Sequence, residues 1–273
     1  MSKVRIVAIC LLRNEESYVG QMLANIEDFC DEILIADNGS SDSTYDIAME
    51  WAGKRSKITC RRIRHPRESH EMIERFANTP TWIFAVDGDE LYDPVGLKQF
   101  RMEVMSGTYD KSWQVAGNVL NCISINRESN VAEGYLSPPC RSITKLFNFN
   151  AIVEWTGAPV ERLHDGHIVF KPGFDDSSRY PLNEESSWHE SKFRCLHLCF
   201  LPRSRLDTVG KDGTVTRWNL AEQHGGGLFA RISSVIFTRI GRYKASRWKK
   251  DRYGRGKLVD SSIDRFFERS PKP

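Results

Sequence analysis

Three apolar runs in the first ninety residues stop abruptly at polar turns. Val4–Leu12 ends at Arg13-Asn14-Glu15, Glu32–Ala36 at Asp37-Asn38-Gly39-Ser40, and Thr81–Val86 at Asp87-Gly88-Asp89-Glu90. Short apolar runs bounded by turn formers read as buried strands. The segments between them repeat at helical spacing: Val19, Met22, Leu23 and Ile26 after the first run, and Ile47, Ala48 and Trp51 after the second. Asn14 is placed to cap the first helix, with Glu15 and Glu16 in its first turn, and Ser41 or Ser43 to cap the second. A third strand over Ile58–Ile63, a helix over Ser69–Ala77 and a helix opened by Pro94 complete the pattern. This β-α-β-α order constrains the chain to an α/β fold, a largely parallel sheet with helices on both faces. Parallel strands share one carboxyl edge, and ligands of such sheets sit outside it. The three polar turns therefore converge on a single rim.

After about residue 106 the alternation stops. Trp113–Ile125, Ser142–Phe149 and His167–Phe170 read as strands with little helix between them, which predicts a mixed or antiparallel extension of the first sheet. Asp175–Glu190, rich in serine, reads as a mobile surface loop, and Phe193–Leu201 returns to the core. The expected division is residues 1–105, residues 106–215 as the second half of the same domain, and a tail over 216–273.

The tail differs in charge. Residues 1–200 carry 22 basic and 29 acidic side chains, whereas residues 201–273 carry 17 and 7. Leu228, Ile232, Val235, Ile236 and Ile240 share a helical face flanked by Arg231, Arg239, Arg242, Lys244, Arg247, Lys249 and Lys250, after the hinge-like Gly225-Gly226-Gly227. Such a helix either packs on the body with a solvated basic end or lies on an anionic membrane surface. No apolar run approaches the roughly 20 residues of a membrane span, and Lys3 and Arg5 lead directly into the first strand without a signal-peptide pattern. Cytoplasmic placement is the expectation, peripheral on the inner face of a membrane only if the tail takes the second of these two courses.

The chemistry concentrates in Asp87-Gly88-Asp89-Glu90. Acidic oxygens clustered at a strand end suit a hard divalent cation, magnesium or manganese, which in turn suits a diphosphate. Gly88 between the acids lets backbone and ligand approach closely. The seven cysteines are odd in number and scattered, which argues against a disulfide framework. Cys195 and Cys199 bracket His197, but no second cluster supplies a zinc site, so they read as buried thiols. Trp113, Trp155, Trp188 and Trp218 suit either sugar stacking or core packing. Arg61 and Arg62 read as a solvated face.

Cys10-Leu11-Leu12-Arg13-Asn14-Glu15-Glu16, Asp31-Glu32-Ile33-Leu34-Ile35-Ala36-Asp37-Asn38-Gly39-Ser40-Ser41-Asp42-Ser43-Thr44 and Val86-Asp87-Gly88-Asp89-Glu90 together resemble the family 2 glycosyltransferases, in order and spacing, over roughly the first hundred residues. The resemblance implies a glycosyltransferase A-type fold: a mostly parallel Rossmann-like sheet flanked by helices, with a mixed or antiparallel acceptor-side extension. It also implies a nucleotide-diphosphate-sugar donor, Mn2+ or Mg2+, and inversion at the anomeric carbon. Glu15, Asp37, Arg64 and Asp87 are then donor-binding residues. Asp87, Asp89 and His197 are metal ligands, Asp89 the closer of the two acids, with Arg203 and Arg205 near the phosphates. The Glu-Asp pair that usually marks the family's base is missing. Relatives with an Asp-x-Asp-Glu motif carry Gly-x-Val-His-Glu, which Gly157-Ala158-Pro159-Val160-Glu161 matches at glycine and glutamate. Glu161 is thus the candidate base, with Glu154, His164 and Asp165 in reserve. The implied acceptor is a glycan or lipid-linked hydroxyl in surface polysaccharide or lipopolysaccharide synthesis, with no nucleic-acid partner. Two other readings are a nucleotidyltransferase, disfavoured by the absence of a glycine-rich loop after the first strand, and a non-catalytic sugar-nucleotide-binding module.

Overall fold

Strand β1 (Arg5–Leu12) is flanked on both sides by parallel partners, β2 (Glu32–Asp37) and β4 (Thr81–Asp87), and β3 (Ile58–Arg62) continues the parallel run beyond β2. The computed structural model describes residues 3–137, 143–156, 167–211, 215–216 and 253–267. On the far side of β4 the sheet turns antiparallel. β8 (Ile143–Asn148) pairs with β4, β6 (Gln114–Asn126) with β8, β7 (Val131–Ser137) with β6, and β15 (Lys257–Ser262) with β7. The order across the sheet is β15-β7-β6-β8-β4-β1-β2-β3; β9 (Ile152–Thr156) with β10 (His167–Phe170), and β13 (Thr208–Val209) with β14 (Val215–Thr216), form two separate antiparallel pairs. The expected combination of a parallel half and an antiparallel extension is what the strands form.

Both faces of β1 are covered, which is why its sequence is apolar from Ile6 to Leu12. Ile6, Ala8, Cys10 and Leu12 point to one face and pack with α1 (Val19–Ile26), α2 (Thr44–Lys54) and α4 (Pro94–Met105). Val7 and Ile9 point to the other, where Ile73, Phe76, Trp113, Phe147, Phe149 and Trp155 form a second core. The period of two along each strand decides which core a residue joins. Asp93 caps α4, its Oδ1 accepting from the N–H groups of Val95 (3.0 Å) and Gly96 (3.1 Å).

Several local expectations are corrected. Asn14 does not cap α1, which begins at Val19 after Tyr18. Its backbone is left-handed (φ 54°), a conformation asparagine tolerates, and it ends β1 instead. The Ser69–Ala77 helix is split into α3 (Glu68–Glu71) and a 3-10 turn over Glu74–Phe76. Of its buried residues Ser69, His70, Ile73 and Phe76, the last three recur every third position, the repeat of the tighter helix. Asp175–Glu190 is not an unanchored loop. It contains β11 (Arg179–Tyr180) and α5 (Leu182–Glu185), buries Leu182 and Trp188, and is pinned where Trp188 Nε1 donates to Ser261 Oγ (2.6 Å). Nor is the C-terminal region wholly a tail: β15 is an edge strand of the main sheet, and Phe266 in α6 (Asp264–Phe267) lies in the core. The basic segment 228–250, Gly225–Gly227, and Glu161 with His164 and Asp165 lie outside the described residues. Among the described residues no helix is long and apolar enough to cross a membrane.

Candidate active site at the carboxyl edge of the parallel strands

Sheet register brings the acids together. Leu12 of β1 is paired with Asp37, and the neighbouring Leu11 with Asp87. The last residues of β2 and β4 therefore flank the end of β1, as the convergence of polar turns requires. A tight turn carries the chain from Asp87 through Gly88 and Asp89 into β5 (Glu90–Tyr92). Strand β12 (Arg194–His197) pairs with β5 and with β6, setting His197 opposite Glu90 and beside Asn121.

Asp37 is fully buried. Its Oδ1 accepts from Ser40 N–H (3.2 Å) and from Arg62 Nε (3.2 Å), while its Oδ2 has no hydrogen-bond partner among the described residues. Arg62 also lies over the Tyr45 ring, 4.1 Å from its centroid. Arg62 is thus not merely part of a solvated face, because the β2–β3 register pairs it with Asp37. Arg64 is exposed, and its backbone N–H donates to Glu68; the arginine that reaches the strand-end acid is Arg62.

Asp87 has a half-exposed side chain, and its Oδ2 is held by Lys145 Nζ of β8 at 2.8 Å. The same ammonium lies 3.3 Å from Glu90 Oε1, which is buried. Burial pushes the Glu90 carboxyl up to about 8 in spite of Lys145. Burial would discharge Lys145, but Asp87 and Glu90 outweigh it and raise the ammonium's pKa. Asp89 is buried as well. Its Oδ2 accepts from Arg203 Nη1 (3.1 Å), and its Oδ1 lies 3.9 Å from His197 Nε2. Arg203 Nη1 also reaches Glu15 Oε1 at 2.5 Å. Burial disfavours the Arg203 cation, yet Glu15, Asp89 and Asp207 raise its pKa further.

The loops around this rim are laced to one another. Asn14 N–H donates to Ser40 Oγ (3.1 Å), and Asn14 Oδ1 accepts from Ser41 N–H (2.8 Å). Glu16 accepts from Ser43 N–H (3.0 Å) and from Arg205 N–H (2.8 Å), and Ser17 N–H donates to the Arg203 carbonyl (2.9 Å). Gly88 serves this lacing. A Cβ there would stand 2.5 Å from Glu15 Cγ, so Glu15 itself, rather than a ligand, occupies the space the glycine leaves.

The sequence-predicted residues Glu15, Asp37, Asp87, Asp89 and His197 lie on or beside the rim. Three cations, Arg62, Lys145 and Arg203, hold the acids expected to bind metal or donor. Among the described residues no three His, Cys, Asp or Glu side chains converge as a metal site. Asp89 Oδ1 and His197 Nε2, 3.9 Å apart, are an oxygen and a nitrogen of the kinds that bind a divalent cation, whereas Asp87 is turned to Lys145. The donor set of that pair fits a cation, and the buried Oδ2 of Asp37 can accept a hydrogen bond. The tryptophans at 113, 155 and 188 are core residues; Trp218 lies outside the described residues. Cys195 and Cys199 are buried free thiols.

Residues 8–110 match the sequence model of Glycosyl transferase family 2. That stretch contains β1 to α4 and all three rim acids. No curated protein matches the chain. Among solved structures it is similar to S. aureus TarS 1-349, at 16% identity over 44% of this chain and 36% of that one, with a TM-score of 0.32. It is similar to the mannosyltransferase PcManGT from Pyrobaculum calidifontis, solved with GDP-Man and Mn2+, at 19% identity over 47% and 37%, TM-score 0.32. A mannose-6-phosphate isomerase from Helicobacter pylori gives 13% identity over 53% and 61%, TM-score 0.30. The chain thus spans little more than a third of the length of the first two.

Proposed function

We propose that the chain, whose residues 8–110 match the sequence model of Glycosyl transferase family 2, is a glycosyltransferase that moves a sugar, with inversion, from a nucleotide-diphosphate sugar to a hydroxyl of a growing glycan or glycolipid. The products are the new glycoside, the nucleoside diphosphate and the proton of the acceptor hydroxyl. The proposed setting is surface polysaccharide or lipopolysaccharide synthesis, with the basic stretch between Arg231 and Lys250 as the peripheral attachment to an anionic membrane face.

One observation carries this reading: the register that pairs Leu12 with Asp37 and Leu11 with Asp87 puts two family-matched acids on either side of one strand end, with Asp89 in the adjoining turn. Asp37 accepts a hydrogen bond from the nucleoside through its buried Oδ2. Asp87, steadied by Lys145, faces the ribose. Asp89 and His197 hold Mg2+ or Mn2+, which when bound neutralises charge on the leaving diphosphate. Arg203, held by Glu15 and Asp89, adds a fixed positive charge beside that leaving group. Glu161 is the proposed base for the acceptor hydroxyl, on the opposite face of the sugar.

A thermal-shift panel of nucleoside diphosphates, each with and without Mn2+, tests the reading, because a ligand that binds only the folded chain raises its melting temperature. A metal-dependent rise with one nucleotide, lost in Asp37→Ala, is the expected result. No response to any nucleotide would overturn it.

A further inference from the structure

Asn121 lies in the middle of β6, fully buried. It is set beside His197 by the parallel pairing of β6 with β12. Its amide is used at both ends. Nδ2 donates to the Tyr135 carbonyl of β7 (3.3 Å), and Oδ1 stands 2.8 Å from His197 Nδ1. With the nitrogen directed to a carbonyl, the atom facing the imidazole is an acceptor, so the ring donates from Nδ1. A neutral imidazole with its hydrogen on Nδ1 carries a lone pair on Nε2. Nε2 is the atom turned to Asp89 Oδ1.

We propose that Asn121 is a positioning residue: it fixes the Nδ1–H tautomer and the orientation of His197, so that Nε2 is presented as an electron-pair donor beside Asp89. This rests on the reading of Asp89 and His197 as cation ligands, and it identifies the group that makes the histidine competent for that role. An acceptor on the second ring nitrogen is the usual support of a metal-binding histidine, and its loss commonly lowers metal affinity about 10- to 100-fold. Tyr253 meets the same ring edge to face, at 5.3 Å between centroids and 82° between planes. That contact restrains the tilt of the ring.

The test has two readouts. In metal-free protein carrying 15N-labelled histidine, long-range 1H–15N correlation should show His197 as the Nδ1–H form. Asn121→Leu should move it toward the Nε2–H form, and Asn121→Asp, which keeps an acceptor, should restore Nδ1–H. Mn2+ affinity is then followed by electron paramagnetic resonance, with whichever nucleoside diphosphate stabilises the chain most in the thermal panel. It should fall about 10- to 100-fold in Asn121→Leu and stay within about threefold of wild type in Asn121→Asp. A wild-type spectrum showing Nε2–H overturns the proposal without any variant, as does an Asn121→Leu protein that keeps the wild-type tautomer and the wild-type Mn2+ affinity. If the tautomer responds as expected but wild type binds no Mn2+, the positioning role stands and the assignment of Asp89 and His197 as cation ligands fails.

Discussion

Replacing Gly88 by alanine adds one carbon where the fold has no room for it. The new Cβ would stand 2.5 Å from Glu15 Cγ, 2.7 Å from Glu15 Cβ and 3.0 Å from Leu12 Cδ2. A change of rotamer cannot relieve the contact with Glu15 Cβ, which is fixed by its backbone. That backbone is held in turn, because Glu15 N–H donates to Thr44 Oγ1 (2.7 Å) and its carbonyl accepts from Tyr18 and Val19 N–H (both 3.0 Å). Either the 87–89 turn or the loop after β1 must move by several tenths of an ångström. Overpacking of this kind costs about 1–3 kcal/mol, and each kcal/mol lowers the melting temperature by about 2–4 °C in a domain of comparable size. Function should suffer beyond stability, because Glu15 anchors Arg203, which in turn contacts Asp89. Displacement of groups around a reacting centre can cost on the order of 100-fold in rate, so kcat/KM for the donor should fall about 10- to 100-fold. The assay is a pair of measurements on one preparation: calorimetric melting, and release of nucleoside diphosphate from the donor at a temperature where the variant is fully folded. A Gly88→Ala protein that melts and turns over like wild type would refute the claim that Glu15 is wedged against the acidic turn and positions Arg203.

Gly53→Ala is the matching control: it lies in α2 with nothing within 4 Å of the added methyl, so it should stabilise the chain by about 0.4–1 kcal/mol, read as a higher melting temperature with unchanged turnover. Asp37→Ala should weaken binding of the nucleoside diphosphate about 10- to 100-fold, the worth of a hydrogen bond to a charged group, measured by calorimetric titration. His70 is stacked on Trp155 at 5.0 Å, and burial together with Arg67 lowers its pKa below the usual 6.5. Below that value the unfolded chain binds more protons than the folded one, so the stability that neutral His70 contributes is present above about pH 6.5 and lost as pH falls through the folded pKa. His70→Phe should flatten that part of the acid slope in melting temperatures taken from about pH 7.5 to about pH 5.

The parallel half of the fold was legible because each of its signals is local. In Thr81–Asp87 a strand buried on both faces shows as an unbroken apolar run, and the acid that ends it shows as the end of the run. Asp37, Asp87 and Asp89 are visible in that way. Lys145 and Arg203 are harder because they reach these acids from 58 and 114 residues away in sequence. The one local sign of Lys145 is the single charge in Ile143–Phe149, beside the apolar Leu146 and Phe147. Strand β15 is hidden because it is an edge strand with mostly exposed residues, so it lacks the burial that makes a strand visible in sequence. Trp188 and Leu182 fix the 175–190 segment, but two buried apolar side chains among many serines and acids do not change its polar average. Asn14 shows the limit of capping rules. An asparagine before a helix also suits a left-handed turn, and the tie to Ser40 and Ser41, which depends on the second βα loop, decides between the two.

The central claim is that Asp89, at the carboxyl edge of the parallel strands, works with a divalent cation on the leaving diphosphate. The direct measurement is nucleoside diphosphate release from the sugar donor by wild type and by Asp89→Ala, after chelation and again after Mn2+ is restored. The account predicts that chelation lowers wild-type release about 100-fold or more, that Mn2+ returns it, and that Asp89→Ala stays low in both conditions. Release that is indifferent to chelation, or an Asp89→Ala protein that Mn2+ restores to the wild-type rate, would contradict it.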